Sequence, residues 1–346
     1  MNKHPGLGAL AAALAFSAAM SGAALAQQPA PLKKVTVGIL YLVADAGVFI
    51  AQDRGYFAQE GIQVELSRFT SGGDVVALLA TNRLDAGSGS ATPGLFNSYI
   101  RGVNAPIVAS KAIIARNDTG SLFLARRDLV ESGKVKTTAD MKGMRIAVNN
   151  IQSTSLNYVL RAVAAGGLRK DDVTVVEMPF EQFIPAFQKK AIDAAMAFSP
   201  LANTIADRMK LAVSLPEGST AATSPDSTAN MLFYSPGFAK TETAKGFMVA
   251  LMKGQRDYQR AIFDGRGDRN ATCALINKHL PFVPADCGGI SMSAVEPDSL
   301  VNVKSLEQFQ DEWVQWGLMR ERANIAANVN MEFVNHAIAK LGKYQK

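Results

Sequence analysis

One short pattern occurs twice in this chain and constrains it more than any other feature. Asn82-Arg83-Leu84-Asp85-Ala86 and Lys190-Ala191-Ile192-Asp193-Ala194 each close a helical stretch, turn, and open an apolar strand. Each strand is then followed by a loop containing proline, Pro93 in the first copy and Pro200 in the second. Around these units strand and helix signals alternate. Apolar runs at Val35–Leu40, Ile62–Leu66, Ala86–Gly89 and Pro106–Ile114 are separated by helical patterns at 47–59, 74–82 and 93–102. A second series places strands at Ser121–Arg126, Met144–Val148, Val173–Met178 and Ala194–Phe198, with helices at 156–165 and 182–190. Repeated β-α-β spacing predicts parallel sheets covered by helices on both faces. Two series predict an α/β protein of two similar lobes with a cleft between them. From Thr241 onward the pattern is mainly helical.

The first residues read as an export signal. Lys3 and His4 precede an uncharged, Ala-rich run from Leu7 to Leu25, closed by Ala24-Leu25-Ala26 before Gln27. Small residues at that spacing form a signal-peptidase site, so residues 1–26 are expected to be removed. A membrane anchor is the competing reading, since the run is nearly long enough to span a bilayer. Its Ala and Gly content and the polar Gln27-Gln28-Pro29 that follows favour cleavage. In an oxidising compartment the only two cysteines, Cys273 and Cys287, read as a disulfide, with two free thiols as the fallback. The formal charge of +6 is mild and scattered, with no block of Lys and Arg interleaved with aromatics. Nucleic acid is therefore not an expected partner.

Ligands of open parallel sheets bind beyond the carboxyl ends of the strands. Loops there share one chemistry: Thr70-Ser71-Gly72-Gly73 before a helix at Asp74, Ser88-Gly89-Ser90-Ala91-Thr92 before Pro93, and Asn149-Asn150-Ile151-Gln152-Ser153-Thr154-Ser155 before Leu156. Each offers hydroxyls, free backbone N–H groups and the positive end of a helix dipole, which suit an acid oxygen or a neutral polar ring. Ordinary N-capping explains the same residues without any ligand. The expected ligand-binding set is Tyr41, Asp45, Ser71, Gly72, Ser88, Ser90, Thr92, Asn150, Ser153, Thr154, Phe180, Phe198 and Ser199. Tyr41, Phe180 and Phe198 would form apolar walls, or simply pack in the core.

Enzyme chemistry is poorly supported. After the signal run the only histidines are His279 and His336, away from these loops. Neither a G-x-S-x-G elbow, a phosphate-binding loop nor a dinucleotide fingerprint is present, and no cofactor or metal is expected.

Ala51-Gln52-Asp53-Arg54-Gly55-Tyr56-Phe57-Ala58-Gln59-Glu60-Gly61-Ile62-Gln63-Val64 closely resembles a signature of periplasmic proteins that bind sulfonates, taurine, nitrate and thiamine-pyrimidine precursors. Met141–Val148 and Gly166–Val176 resemble two further motifs of that group. The resemblance implies a type II periplasmic-binding fold, with two crossover strands near Gly120–Phe123 and Asn230–Phe233. Lobe 1 would be residues 27–119 with 230–346, and lobe 2 residues 120–229. It also implies a monomer that captures a small solute and delivers it to the permease subunits of an ABC importer. Many members carry Trp-Glu-Pro where this chain has Phe198-Ser199-Pro200, and loss of that carboxylate favours an anionic or less polar ligand. Asp45 would instead pair with an amine. A neutral pyrimidine-like ligand, a thiamine-pyrimidine-synthesis type of enzyme and a ligand sensor are the alternatives.

Overall fold

The computed structural model describes residues 31–69, 72–151 and 153–345. The expected signal peptide and Ser71 lie outside them. Along the chain the strands are β1 (Lys33–Ile39), β2 (Ile62–Arg68), β3 (Ala86–Gly89), β4 (Ile107–Ile113), β5 (Ser121–Arg126), β6 (Arg145–Val148), β7 (Thr174–Glu177), β8 (Ala194–Phe198), β9 (Ala212–Ser214) and β10 (Thr228–Tyr234). Helices α1 (Ala46–Asp53), α2 (Tyr56–Gln59), α3 (Gly72–Ala80) and α4 (Pro93–Ile100) alternate with the first strands. The second series carries α5 (Arg127–Glu131), α6 (Thr154–Ala165), α7 (Phe183–Gln188), α8 (Leu201–Asn203) and α9 (Thr220–Thr223). The C-terminal part supplies α10 (Glu242–Ile262), α11 (Arg269–His279), α12 (Val303–Gln315) and α13 (Glu332–Leu341). The helix expected over 47–59 is broken, because Gly55 takes a left-handed conformation (φ 71°) between α1 and α2.

Two five-stranded sheets have the same plan. The orders are β2-β1-β3-β10-β4 and β7-β6-β8-β5-β9; in the first sheet the fourth strand, β10, returns from beyond the second series, and in the second it is β5, the strand that opens that series. That strand alone runs antiparallel to its neighbours: β10 against β3 and β4, β5 against β8 and β9. The sequence repeat has a matching structural role. Asn82 and Lys190 both turn with positive φ, at 54° and 56°. Asp85 then accepts from the backbone N–H of Thr36 at 2.8 Å and donates its own N–H to the Thr36 carbonyl. Asp193 does the same with Arg145. Each Asp thus locks the strand that follows it, β3 or β8, onto its parallel neighbour, β1 or β6.

The second corner is the more charged. Asp193 accepts from Arg145 Nε at 3.0 Å and from Arg126 Nη1 at 2.9 Å. Burial pushes its carboxyl up, but the bonds and charge of Arg145 and Arg126 outweigh burial and hold its pKa below the usual carboxylate range. A depressed folded pKa gives stability that is present above the unfolded pKa and lost as pH falls through the folded one. Asp193→Asn should therefore cost about 2 kcal/mol near neutral pH, the worth of a charge-assisted bond. Urea unfolding at neutral pH and below about pH 3 checks it: the gap between variant and wild type should shrink in acid. A gap independent of pH would show that geometry, not charge, makes the corner.

The core is not divided as the sheets are. One apolar cluster packs β1, α1, α10 and α13, and a smaller one fills the outer side of the second sheet. The largest remaining cluster runs through both halves: Phe96 and Tyr99 of α4, Phe309 and Trp313 of α12, and Tyr158 and Val159 of α6 are all buried in it. Leu32–Lys346 accordingly form one unit.

Candidate ligand-binding site

Topology determines where a ligand can sit. The antiparallel strand β5 starts beside the carboxyl end of β8, with Ser121 opposite Phe198. Residues 114–120 bring the chain there from the carboxyl end of β4, and residues 215–227 return it to the start of β10, beside the ends of β3 and β4. Both connections therefore join the sheets carboxyl edge to carboxyl edge, and the loops leaving β1, β2, β3, β6, β7 and β8 gather at that junction. Ser199 N donates to the Gly120 carbonyl at 2.7 Å, and Thr220 Oγ1 to Asp118 Oδ2 at 3.2 Å, tying the connections to one another and to the β8 loop.

On the first sheet, Tyr41 follows β1 with a left-handed φ of 54° and packs 5.5 Å from Phe49. Arg68, exposed at the end of β2, places its guanidinium 5.3 Å from the Tyr41 ring centre, a cation–π geometry. Gly72 and Gly89 meet backbone to backbone: a Cβ on Gly89 would lie 3.2 Å from Gly72 Cα. That approach sets the first turn of α3 against half-buried Ser90. Thr92 caps α4, accepting from Leu95 N–H at 3.1 Å.

Asp45 and Ser88 are elsewhere than expected. Both are buried, and Ser88 Oγ donates to Asp45 Oδ1 at 3.1 Å. Lys111 donates to the same oxygen, and Leu42 N–H to the other at 3.0 Å. The expectation that Asp45 meets a ligand amine is corrected by this geometry. Its side chain and that of Lys111 are each 1% exposed, and the pair is an internal one. Lys111 reaches it because β4 bulges. Ser110 pairs with Met231 and Ala112 with Asn230, leaving Lys111 as the extra residue. Gln255 Nε2 donates to the carbonyls of Ser110 and Lys111 at 3.2 and 3.3 Å, satisfying the bulged backbone.

On the second sheet, Ser153 caps α6 and its hydroxyl donates to the carbonyl of exposed Asn150 at 2.7 Å. Asn149 Oδ1 accepts from Ser153 Oγ at 3.3 Å and from Ser155 Oγ, which stiffens the loop into half-buried Thr154. Phe180 and Phe198 are half-buried and edge-on, with centres 5.9 Å apart, and Phe198 is 6.4 Å from Tyr158. Ser199 is spoken for: its Oγ accepts from Ser291 N–H at 3.0 Å. The segment that contributes Ser291 follows the Cys273–Cys287 disulfide, pairs with the first connection through Thr119 (2.6 Å between hydroxyls), and rejoins β4 at the Ala294–Ile113 bridge.

Sequence reasoning missed Arg68, Lys111 and Asn230. Lys111 did carry a signal, as a lone charge inside the apolar run Ile107–Ile113 that demanded a partner.

Paired sheets of this strand order, joined at their carboxyl edges by two connections, define the two-lobed periplasmic-binding type of fold. Residues 44–260 match the NMT1/THI5-like family over well more than half of the chain, and the protein belongs to that family. A Brucella abortus protein named as a binding protein is 29% identical over 235 residues, covering 66% of this chain and 67% of its own. The taurine-binding periplasmic protein of Escherichia coli is 27% identical over 53% of this chain and 54% of its own. Among solved structures, the periplasmic aliphatic sulphonate binding protein of E. coli superposes with a TM-score of 0.68 at 18% identity, covering 86% of this chain and 92% of its own. The desulfurization enzyme DSZB shares the fold as well, with a TM-score of 0.60 at 15% identity over 89% of this chain and 99% of its own.

Proposed function

We propose that this chain is exported to the periplasm and serves as the solute-binding component of an ABC importer, taking a small organic acid such as a sulfonate or an aromatic carboxylate. Residues 27–119 with 230–346 act as one lobe and 120–229 as the other, closing on the solute by hinge motion. The observation that carries this reading is electrostatic. The first turns of α3 and α4 from one sheet and α6 from the other stand at the junction, with Arg68 beside them on Tyr41. Asp45, one of the carboxylates near the junction with Asp74 and Asp118, is paired with Lys111. Helix N-termini and an arginine favour an acid group. Tyr41, Phe180 and Phe198 supply walls for its apolar body. Relatives named for binding, one of them for taurine, support the same class.

The state of the reactive side chains supports a binding rather than a catalytic role. Both cysteines are joined to each other. His279 stacks on Phe49 at 4.5 Å and lies 3.1 Å from Asp53, and His336 is exposed on α13. A fold shared with a desulfurization enzyme does not transfer its chemistry. Among the described residues no helix is long and apolar enough to cross a membrane.

The test is a thermal-shift screen of protein recovered from the periplasm of an expressing host. The panel holds sulfonates, aromatic carboxylates, nitrate and neutral pyrimidines. A true ligand at a hundred times its Kd should add about 2.7 kcal/mol of stability. Hits confined to neutral pyrimidines would overturn the acid reading, and turnover of any compound would overturn the binding role.

A further inference from the structure

Asn230 belongs to β10, level with Ala112 and one residue beyond the Met231–Gly89 pair, which sets it beside Ser90 at the carboxyl edge. Alternation along β10 puts its side chain on the face of Leu232 and Tyr234. Leu232 is directly opposite Ser88. Asn230 therefore shares the face of Ser88, two residues nearer the junction. It is 4% exposed, and its side-chain oxygen Oδ1 is buried with no hydrogen-bond partner. Ser88 gives its one hydroxyl proton to Asp45, and Lys111 also donates to Asp45. A desolvated amide oxygen without a donor is destabilising. An apolar residue of similar shape at this position would avoid that cost.

We infer that Asn230 is a specificity-determining residue whose side-chain carbonyl receives an N–H or O–H donor of the bound solute. The inference rests on the proposed binding role and narrows its substrate class to acids that also carry a hydrogen-bond donor, such as amino- or hydroxy-substituted sulfonates and carboxylates. The acid group meets the helix N-termini and Arg68. The donor meets Asn230 at the edge of the first sheet. A parent acid without the donor leaves the carbonyl unpaired and is rejected, because a site built around a polar contact discriminates strongly against ligands that lack it.

The experiment compares isethionate and taurine with ethanesulfonate, and para-hydroxybenzoate with benzoate, by calorimetric titration of wild type and Asn230→Leu. The donor-bearing member of at least one pair should bind wild type about tenfold tighter or more. In Asn230→Leu that ratio should fall to about one, with the parent acid bound as well as before. The unliganded variant should also melt no lower than wild type, since it removes a buried orphan carbonyl without opening a cavity. A ratio that survives the substitution, or a fall of several degrees in the melting temperature of the unliganded variant, would overturn the inference. Acids bound by wild type without regard to the donor would sink the inference alone. If no acid bound wild type at all, the proposed function would fall, and the inference with it.

Discussion

Lys111→Met is expected to destabilise the protein by roughly 3–5 kcal/mol, because it leaves Asp45 charged, buried and without its counter-ion. The loss should be conditional on Asp45. Removing both charges in Asp45→Asn/Lys111→Met should recover most of the stability, since a well-packed neutral pair is often as stable as the ion pair it replaces. Urea midpoints for wild type, both single variants and the double variant form the cycle. A cost below about 1 kcal/mol for Lys111→Met would mean that solvent reaches the pair. The cycle bears on binding as well. With Lys111 gone, a bare carboxylate lies under the position proposed for an acid, so affinity for acids should fall in Lys111→Met and return in the double variant.

Gly254→Ala should cost about 3 kcal/mol, although helix propensity alone favours alanine there by about 1 kcal/mol. Gly254 lies in the middle of α10, where α1 crosses it at backbone contact. A Cβ would fall 2.1 Å from the Gly47 carbonyl oxygen and 2.9 Å from Ala51 N. Neither atom can yield without parting the two helices, and Phe49, Ile50 and Leu251 are fully buried around the crossing. Thermal unfolding decides the sign: a variant that melts higher than wild type would show that propensity outweighs the clash.

Local pattern revealed the parts of this fold that local chemistry makes. Strands such as Val35–Leu40 and Ala194–Phe198 announce themselves as apolar runs, and Asp85 and Asp193 mark equivalent corners because the same short turn recurs. Strand β9 has three residues and no pattern to detect. The site was legible as a set of loops but not as a set of roles. Thr92 and Ser153 look alike in sequence whether they cap helices or touch a solute, and both do cap. The role of Asp45 depends on Lys111, far along the chain and turned by a bulge that no run of residues foretells. Ser199 binds Ser291 for the same reason: its partner is brought by tertiary structure.

Helix α12 has a mechanical consequence. Aromatic rings continue from Phe180 through Phe198, Tyr158, Phe309 and Trp313 to Phe96, with successive centres 5.2–6.4 Å apart, so α12 is packed on both halves at once. Arg161 of α6 adds a grip, its Nε–H shared between the two carboxylate oxygens of Glu312 of α12 at 2.8 and 3.0 Å while its guanidinium lies over Phe309. Lifting one half away from this helix would wet the rings and break that grip together. Helix α12 thus ties the two halves through one continuous aromatic stack, and parting them would expose rings that are now buried.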